Sequence, residues 1–384
     1  MAPRLSGLIL AAGFSSRMQT LKPLLPLGET SVLGQCTDTL QKSGIRDIVV
    51  VTGYREREVA AEALARGARP VFNEEFAAGM FSSIRCGVQH LAEAEYIALL
   101  PVDIPLVRTG TLSLMEQALR RTGAEVVHPE FDGRRGHPLL IAAPLLRSLV
   151  DVSPAPGGLR PLLARHEDMQ PERVVSVKVP DANILFDMDT PESYAECRER
   201  FLRRDYPSLE ETAVILEHIY PMPPKGMAHG YLVGELAAGF AEAVNNHQDA
   251  RLRIDLCRVA GRLHDVAKGE PYHEETGGRW LDCLGFPRAA RIVTAHKDLD
   301  WQPGDPLTER ELVHLADKLA KGGRLITLEE RFGEKLTLYQ DDPDALDAIQ
   351  SRYLLAKELA VSLEEASGQT FVSLCARLAS HSSH

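Results

Sequence analysis

Two sets of residues in this chain are of the types that handle phosphate and divalent metal. The first begins in residues 8–27, Leu-Ile-Leu-Ala-Ala-Gly-Phe-Ser-Ser-Arg-Met-Gln-Thr-Leu-Lys-Pro-Leu-Leu-Pro-Leu. An apolar strand ending at Leu10 runs into the small-residue turn Ala11-Ala12-Gly13. Small residues let backbone N–H groups approach an anion closely. A helix or turn opening there aims more N–H groups at phosphate. Ser15 follows, and Arg17 and Lys22 add two cations suited to a triphosphate. No Gly-Lys-Ser/Thr closes the loop, so it is not a Walker P-loop. Further on, Asp103 stands between prolines just past the apolar stretch Tyr96–Leu100. A carboxylate at the end of a buried strand is placed to hold Mg²⁺ at a sheet's ligand edge; it could equally just end the strand. The second set is His229, His264-Asp265 and Asp317. On helices these can converge on one metal, the adjacent His-Asp pair offering a nitrogen and an oxygen from one turn. Such ligands suit Fe, Mn, Co or Zn better than Ca. Against this, the chain has 13 histidines, and an isolated His-Asp dipeptide says little.

The elements that must position these residues change in kind along the chain. In the first half, apolar strands (Leu8–Leu10, Ile48–Thr52, Pro70–Phe72, Tyr96–Leu100, Glu125–His128, Leu139–Ala142, Val174–Val179) alternate with helical stretches such as Glu56–Ala65, Phe81–Leu91 and Thr111–Arg120. That alternation predicts an α/β domain with a largely parallel sheet. Beyond Asp205-Tyr206-Pro207-Ser208 the pattern is almost wholly helical, with apolar residues at helical spacing in Leu209–Ile219, His229–Asn245, Arg251–Ala267, Gly278–Cys283, Arg288–Lys297, Glu309–Ala320 and Asp342–Glu365. The expected domains are 1–203 and 204–384.

The 384 residues allow two such domains, each with its own core. A formal net charge of -11 argues against general nucleic-acid binding. Six scattered cysteines without a Cys-x-x-Cys pair point to reduced thiols and a cytoplasmic setting. No apolar run approaches ~18 uncharged residues, so neither a signal peptide nor a membrane span is expected.

Taken together, the Ala11-Ala12-Gly13 loop with Arg17 and Lys22, Gly79-Met-Phe-Ser-Ser-Ile-Arg, Pro101-Val-Asp-Ile-Pro, Gly133-Arg-Arg-Gly-His-Pro and Asp187-Met-Asp-Thr-Pro resemble the molybdenum cofactor cytidylyltransferases over roughly residues 5–200. The resemblance implies a Rossmann-like nucleotidyltransferase domain that joins CTP and Mo-molybdopterin into molybdopterin cytosine dinucleotide and pyrophosphate. A molybdenum hydroxylase apo-enzyme is a further implied partner. It implies that Arg17, Lys22 and Asp103 are catalytic, and that Leu10, Ala11, Ala12, Gly13, Ser15, Ser82 and Ser83 bind nucleotide. Gly136, His137 and Pro138 bind substrate, and Asp103, Asp187 and Asp189 hold Mg²⁺. Asp189 could also cap the helix starting at Thr-Pro, and His137 could be a surface loop residue. Gln19 departs from the family, which usually has glycine there. The guanylyl-transferring relatives usually carry a glycine where this chain has Ala12.

The second half resembles the HD phosphohydrolase superfamily. The resemblance adds His273 and His296 to His229, His264, Asp265 and Asp317, the order of a subclass with two metals, and gives Lys268 to a substrate phosphate. Two metals could polarise a phosphoryl oxygen and lower the pKa of a bridging water. Other readings stay open: a sugar-phosphate or GTP-using transferase, a cofactor carrier, and a regulatory second half without turnover.

Overall fold

The computed structural model of the chain describes residues 3–18, 20–151, 157–297 and 299–381; Gln19 lies outside them. Contacts divide it into two units, Met1–Arg204 and Asp205–His384.

The first unit is built on strands Leu5–Ala11 (β1), Ile48–Thr52 (β4), Arg69–Phe72 (β5), Tyr96–Pro101 (β6), Val126–Phe131 (β7), Arg134–Arg135 (β8), Leu139–Ala142 (β9) and Val174–Lys178 (β10). A separate hairpin pairs Pro26–Leu27 (β2) with Thr30–Ser31 (β3). The main sheet runs β10-β7-β9-β6-β1-β4-β5, with β8 beside β7. β9 pairs antiparallel with β6 and β7, whereas β1 pairs parallel with β4 and β6. Parallel strands need both faces covered, and β1 shows how the sequence meets that demand. Ile9 and Ala11 face one core, with helices Val32–Lys42 (α1), Thr109–Thr122 (α4) and Pro191–Leu202 (α7). Leu8 and Leu10 face the other, with Met80–Val88 (α3), Ala143–Asp151 (α5) and Leu159–Met169 (α6). Glu56–Ala65 (α2) completes the helices.

The chain runs outward from β1 through β4 to β5, then returns to the other side of β1 as β6. The switch point of the sheet therefore lies between β1 and β6, where ligands of open α/β sheets bind. The register places Leu10 opposite both Val51 and Pro101. The small-residue turn after β1 and Asp103 after β6 thus leave the sheet side by side.

The second unit holds helices Leu209–Val214 (α8), Pro224–His247 (α9), Ile254–Leu263 (α10), His273–Cys283 (α11), Pro287–Thr294 (α12), Glu309–Lys318 (α13), Leu328–Leu338 (α14), Pro343–Ser367 (α15) and Phe371–His381 (α16). It also carries one short hairpin, Ala320–Lys321 (β11) with Arg324–Leu325 (β12). Among the described residues no helix is long and apolar enough to cross a membrane.

The contact between α9 and α10 is a backbone contact. A Cβ on Gly230 would lie 2.7 Å from the Arg262 carbonyl oxygen, one on Gly234 2.5 Å from that of Arg258, and one on Gly261 2.6 Å from Gly234 Cα. This close approach brings His229 on α9 beside His264 at the end of α10. Gly234→Ala is therefore expected to push the helices apart and to weaken metal retention in the second unit by at least about tenfold, the scale of losing one metal-orienting contact. Metal titration of the purified variant checks this; unchanged affinity would show that the close approach does not set the site.

Candidate functional site

In the first unit, Leu10, Ala11, Ala12, Gly13, Ser15, Lys22, Ser83 and Asp103 line one cavity of about 310 Å³. The loop after β1 is shaped by Ser15. Ser15 adopts a positive φ of 52°. Its Oγ accepts from the Lys22 N–H at 3.1 Å, which carries the lysine back toward the turn. The edges of the turn are stitched to neighbouring strands by Tyr54 N–H to Ala12 O (3.2 Å) and Val102 N–H to Leu10 O (3.1 Å).

The carboxylates reach the same place by a different route. The Met188 N–H donates to Asp103 O at 2.9 Å, so the segment 187–189 lies against Asp103. Lys22 Nζ pairs with Asp189 and lies 3.7 Å from Asp103 Oδ2, and Arg17 pairs with Asp189 at 2.6 Å. Burial pushes the Asp103 carboxyl above its ordinary value; Lys22 opposes this, while Asp187 and Asp189 add to it. Burial likewise raises Asp187, with Asp189 reinforcing it. Burial acts on Asp189 in the same sense, but Lys22 and Arg17 overcome it and hold that carboxyl low. Asp103 and Asp187, each raised in part by a neighbouring carboxylate, carry a repulsion that a divalent cation would relieve.

The alternative role of Asp189 as a helix cap is not what the structure shows. Thr190 caps α7, accepting from Ser193 N–H in a capping box with Pro191 in the first turn. The Asp189 side chain is left to face the cations. The 136–138 segment also packs here: the His137 N–H donates to Ile184 O at 3.0 Å, and a Cβ on Gly136 would lie 2.3 Å from the same oxygen. Burial lowers the His137 imidazole, with Asp103 pulling it the other way. Ser82 differs from its expected place. It does not line the cavity; its hydroxyl turns to the carbonyl oxygens of Glu75 and Gly79, each at 2.8 Å. Phe14, Phe76, Gly79 and Met80 also line the cavity; Gly79 and Met80 belong to the 79–85 motif, and none of the four was expected to bind nucleotide. Phe14 stood in plain view inside the loop, whereas Phe76 arrives from beyond β5 with no local signal.

In the second unit, His229, His264, Asp265, His273, His296 and Asp317 converge. His229, His264 and Asp265 place ligand atoms within 4.8 Å of one another, and so do Asp265, His273 and His296. Asp265 belongs to both groups and divides its oxygens between them. Oδ2 lies 3.8 Å from His229 Nε2 and 3.6 Å from His264 Nε2, while Oδ1 lies 3.6 Å from His273 Nε2 and 3.9 Å from His296 Nε2. Asp317 Oδ1 closes the first group, 3.2 Å from His229 Nε2 and 3.5 Å from His264 Nε2.

Two of these histidines have their tautomer set by the backbone. His264 Nδ1 donates to Gly261 O at 2.7 Å, and His296 Nδ1 to Val293 O at 2.6 Å. Each therefore presents Nε2 as the coordinating atom. His264 Nε2 is buried and makes no hydrogen bond. An orphaned buried nitrogen aimed at two carboxylates fits a metal ligand and is costly otherwise. Burial alone would raise Asp317, but Lys318, His229 and His264 hold it well below the usual range. The His264-Asp265 pair lies just past α10 and not within it, because the helix ends at Leu263 where His264 turns its ring back to Gly261. Lys268 pairs with Asp265 from a largely exposed position at the rim. Lys318 pairs with the other oxygen of Asp317, Oδ2, at 2.9 Å, and Arg331 lies 3.8 Å from Oδ1. Arg331 comes from α14, which is not among the helices expected from the sequence.

Residues 7–169 match the family model of the MobA-like NTP transferase domain, and residues 226–322 match that of the HD domain. The molybdenum cofactor cytidylyltransferase of Escherichia coli (strain K12) is 30% identical over 200 residues, 50% of this chain and 95% of that protein. The chain belongs to the MobA-like NTP transferase family. It is a nucleotidyltransferase of that type, carrying an HD domain in its second half. The family resemblance is broader than one activity. The nicotine blue oxidoreductase of Paenarthrobacter nicotinovorans is 27% identical over 198 residues, 50% of this chain and 94% of that protein. Among solved structures, a nucleotidyl transferase from Methanothermobacter thermautotroptrophicus aligns with a TM-score of 0.46 and 24% identity, covering 52% of this chain and 98% of that one.

Proposed function

We propose that residues 1–203 transfer CMP from CTP to Mo-molybdopterin, giving molybdopterin cytosine dinucleotide and pyrophosphate, and that residues 204–384 form an HD-type metal-dependent phosphohydrolase. The observation that supports the first part is that Lys22 and Asp103 line the cavity with the 10–13 turn, and that Lys22 links Asp103 to the Asp189–Arg17 pair, with Asp187 near enough to raise the Asp103 carboxyl. In this reaction an acceptor phosphate oxygen forms a bond to the α-phosphorus of the nucleotide. The bond from that phosphorus to the bridging oxygen breaks, and pyrophosphate leaves with the electron pair. Both reactants are anionic, so the work is alignment and charge neutralisation, with no protein nucleophile.

Asp103, Asp187 and Asp189 would hold Mg²⁺, which supplies positive charge across the phosphates. Backbone N–H groups of the 11–13 turn bind the phosphates, and Lys22 and Arg17 stabilise charge on the crowded phosphorus and the departing pyrophosphate. Gly136, His137 and Pro138, with His137 near enough to Asp103 to feel its charge, would receive the acceptor phosphate. Ala12, with its methyl group, narrows the base end of the cavity and favours a pyrimidine.

In the second unit His229, His264, Asp265 and Asp317 would hold one metal, and Asp265, His273 and His296 a second, of the class Fe, Mn, Co or Zn. Such a pair supplies polarisation of a phosphoryl oxygen and activation of water. Lys268 at the rim binds a substrate phosphate. Mass analysis of the product formed with Mg²⁺, Mo-molybdopterin and CTP tests the first activity. The expected product is molybdopterin bearing one CMP per pyrophosphate released; intact CTP with no dinucleotide would overturn it. Metal analysis together with a panel of nucleotides and phosphomonoesters tests the second. Bound metal with no hydrolysis of any of them would leave a regulatory module in its place.

A further inference from the structure

Asn73 lies just beyond β5, is 4% exposed, and plays no part in the reaction drawn above. Its hydrogen bonds fix its orientation. The Glu75 N–H can only donate, and it donates to Asn73 Oδ1 at 3.0 Å. Nδ2 therefore points the other way, and it donates to Ser82 Oγ at 2.9 Å and to Ser83 Oγ at 3.1 Å. The two serines then differ in what remains to them. Ser82 spends its proton on the carbonyl oxygens of Glu75 and Gly79. Ser83 Oγ accepts from Asn73, its proton makes no hydrogen bond to another of the described residues, and of the two serines it is Ser83 that lines the cavity.

We infer that Asn73 is a specificity-determining positioning residue: it orients Ser83 to present a hydrogen-bond donor to an acceptor atom on the edge of the nucleotide's pyrimidine ring. The inference rests on the nucleotide reading of the cavity. A hydroxyl can donate or accept, and left alone it would read either kind of base edge. With Asn73 behind it, one of the two lone pairs is filled and the proton is the group that Ser83 most readily turns to the cavity. A ring that places an N–H against it must first displace that proton, a cost that a ring offering an acceptor does not meet.

The experiment exploits a nearly isosteric exchange. Asn73→Asp keeps an acceptor for the Glu75 N–H but replaces the Nδ2 donor with an oxygen. Ser83 then donates inward and turns an acceptor to the cavity. Equilibrium binding of CTP and GTP is measured by calorimetry with Mg²⁺, so that no acceptor substrate is needed, on wild type, Ser83→Ala, Asn73→Asp and the double variant. Thermal melts confirm folding, and kcat and KM for CTP are taken alongside. Ser83→Ala is expected to weaken CTP binding about tenfold, the worth of one hydrogen bond to a buried partner. Asn73→Asp is expected to weaken it about a hundredfold, through KM with kcat nearly kept.

The decisive comparison is the double variant. Removing the reversed hydroxyl should restore binding to near the Ser83→Ala level. A double variant no better than Asn73→Asp would mean that the new carboxylate acts by charge or by disturbing the fold, and would overturn the inference. Wild type binding CTP no better than GTP would instead overturn the base assignment, and this inference with it.

Discussion

Asp103→Asn is expected to abolish nucleotidyl transfer while leaving the first unit folded and no less stable. The loss should be at least about a thousandfold in kcat, the scale on which removing a cation ligand from a phosphoryl-transfer site acts. The reason lies in the same geometry that makes the residue costly. Asp103 sits among Asp187 and Asp189 with its carboxyl raised by burial. A carboxyl raised in the folded state lowers stability as pH climbs through its unfolded value, because the buried charge is then paid for only in the fold. The amide removes that charge, and Lys22 keeps its pairing with Asp189. The thermal midpoint at neutral pH should therefore stay level or rise, the expected sign for a functional residue held against its preference. Pyrophosphate release and a melting curve read the two effects separately. Full activity would remove Asp103 from the cation site.

Asp265→Ala is expected to strip both metal positions from the second unit and to spare transfer in the first. Among the described residues Asp265 alone divides its oxygens between the His229–His264 and His273–His296 groups, so one truncation removes a ligand from each. His273→Ala should behave differently, halving the metal content, since His273 belongs to one group only. Metal analysis after gel filtration distinguishes the two variants. Retention of full metal by Asp265→Ala would show that the carboxylate is not shared. Loss of transfer along with metal would show that the two activities depend on each other.

The parts of this molecule legible in its sequence were those with a period or a motif. Buried strands such as Ile48–Thr52 stand out because both faces are covered and the run is unbroken in its apolar character. The turn after β1 announced itself by three small residues followed by cations, and the His-Asp pair by its order with later histidines. What stayed hidden depends on tertiary approach. Asn73 is an ordinary polar residue after an edge strand until α3 packs over it and supplies two hydroxyls. Ser82 and Ser83 are indistinguishable neighbours in sequence, yet a helix turns one to backbone carbonyls and the other to the cavity. Arg331 comes near Asp317 only once the chain has turned through the β11–β12 hairpin into α14. The reading of Asp189 as a cap was chemically reasonable but one residue early, since Thr190 offers the same oxygen at the position the helix uses.

The most direct test of the account is pyrophosphate release by the intact purified protein with Mg²⁺ and Mo-molybdopterin, run in parallel with CTP and GTP. The expected result is release with CTP and little with GTP, matched mole for mole by dinucleotide. Release with GTP alone, or with neither nucleotide, would contradict it.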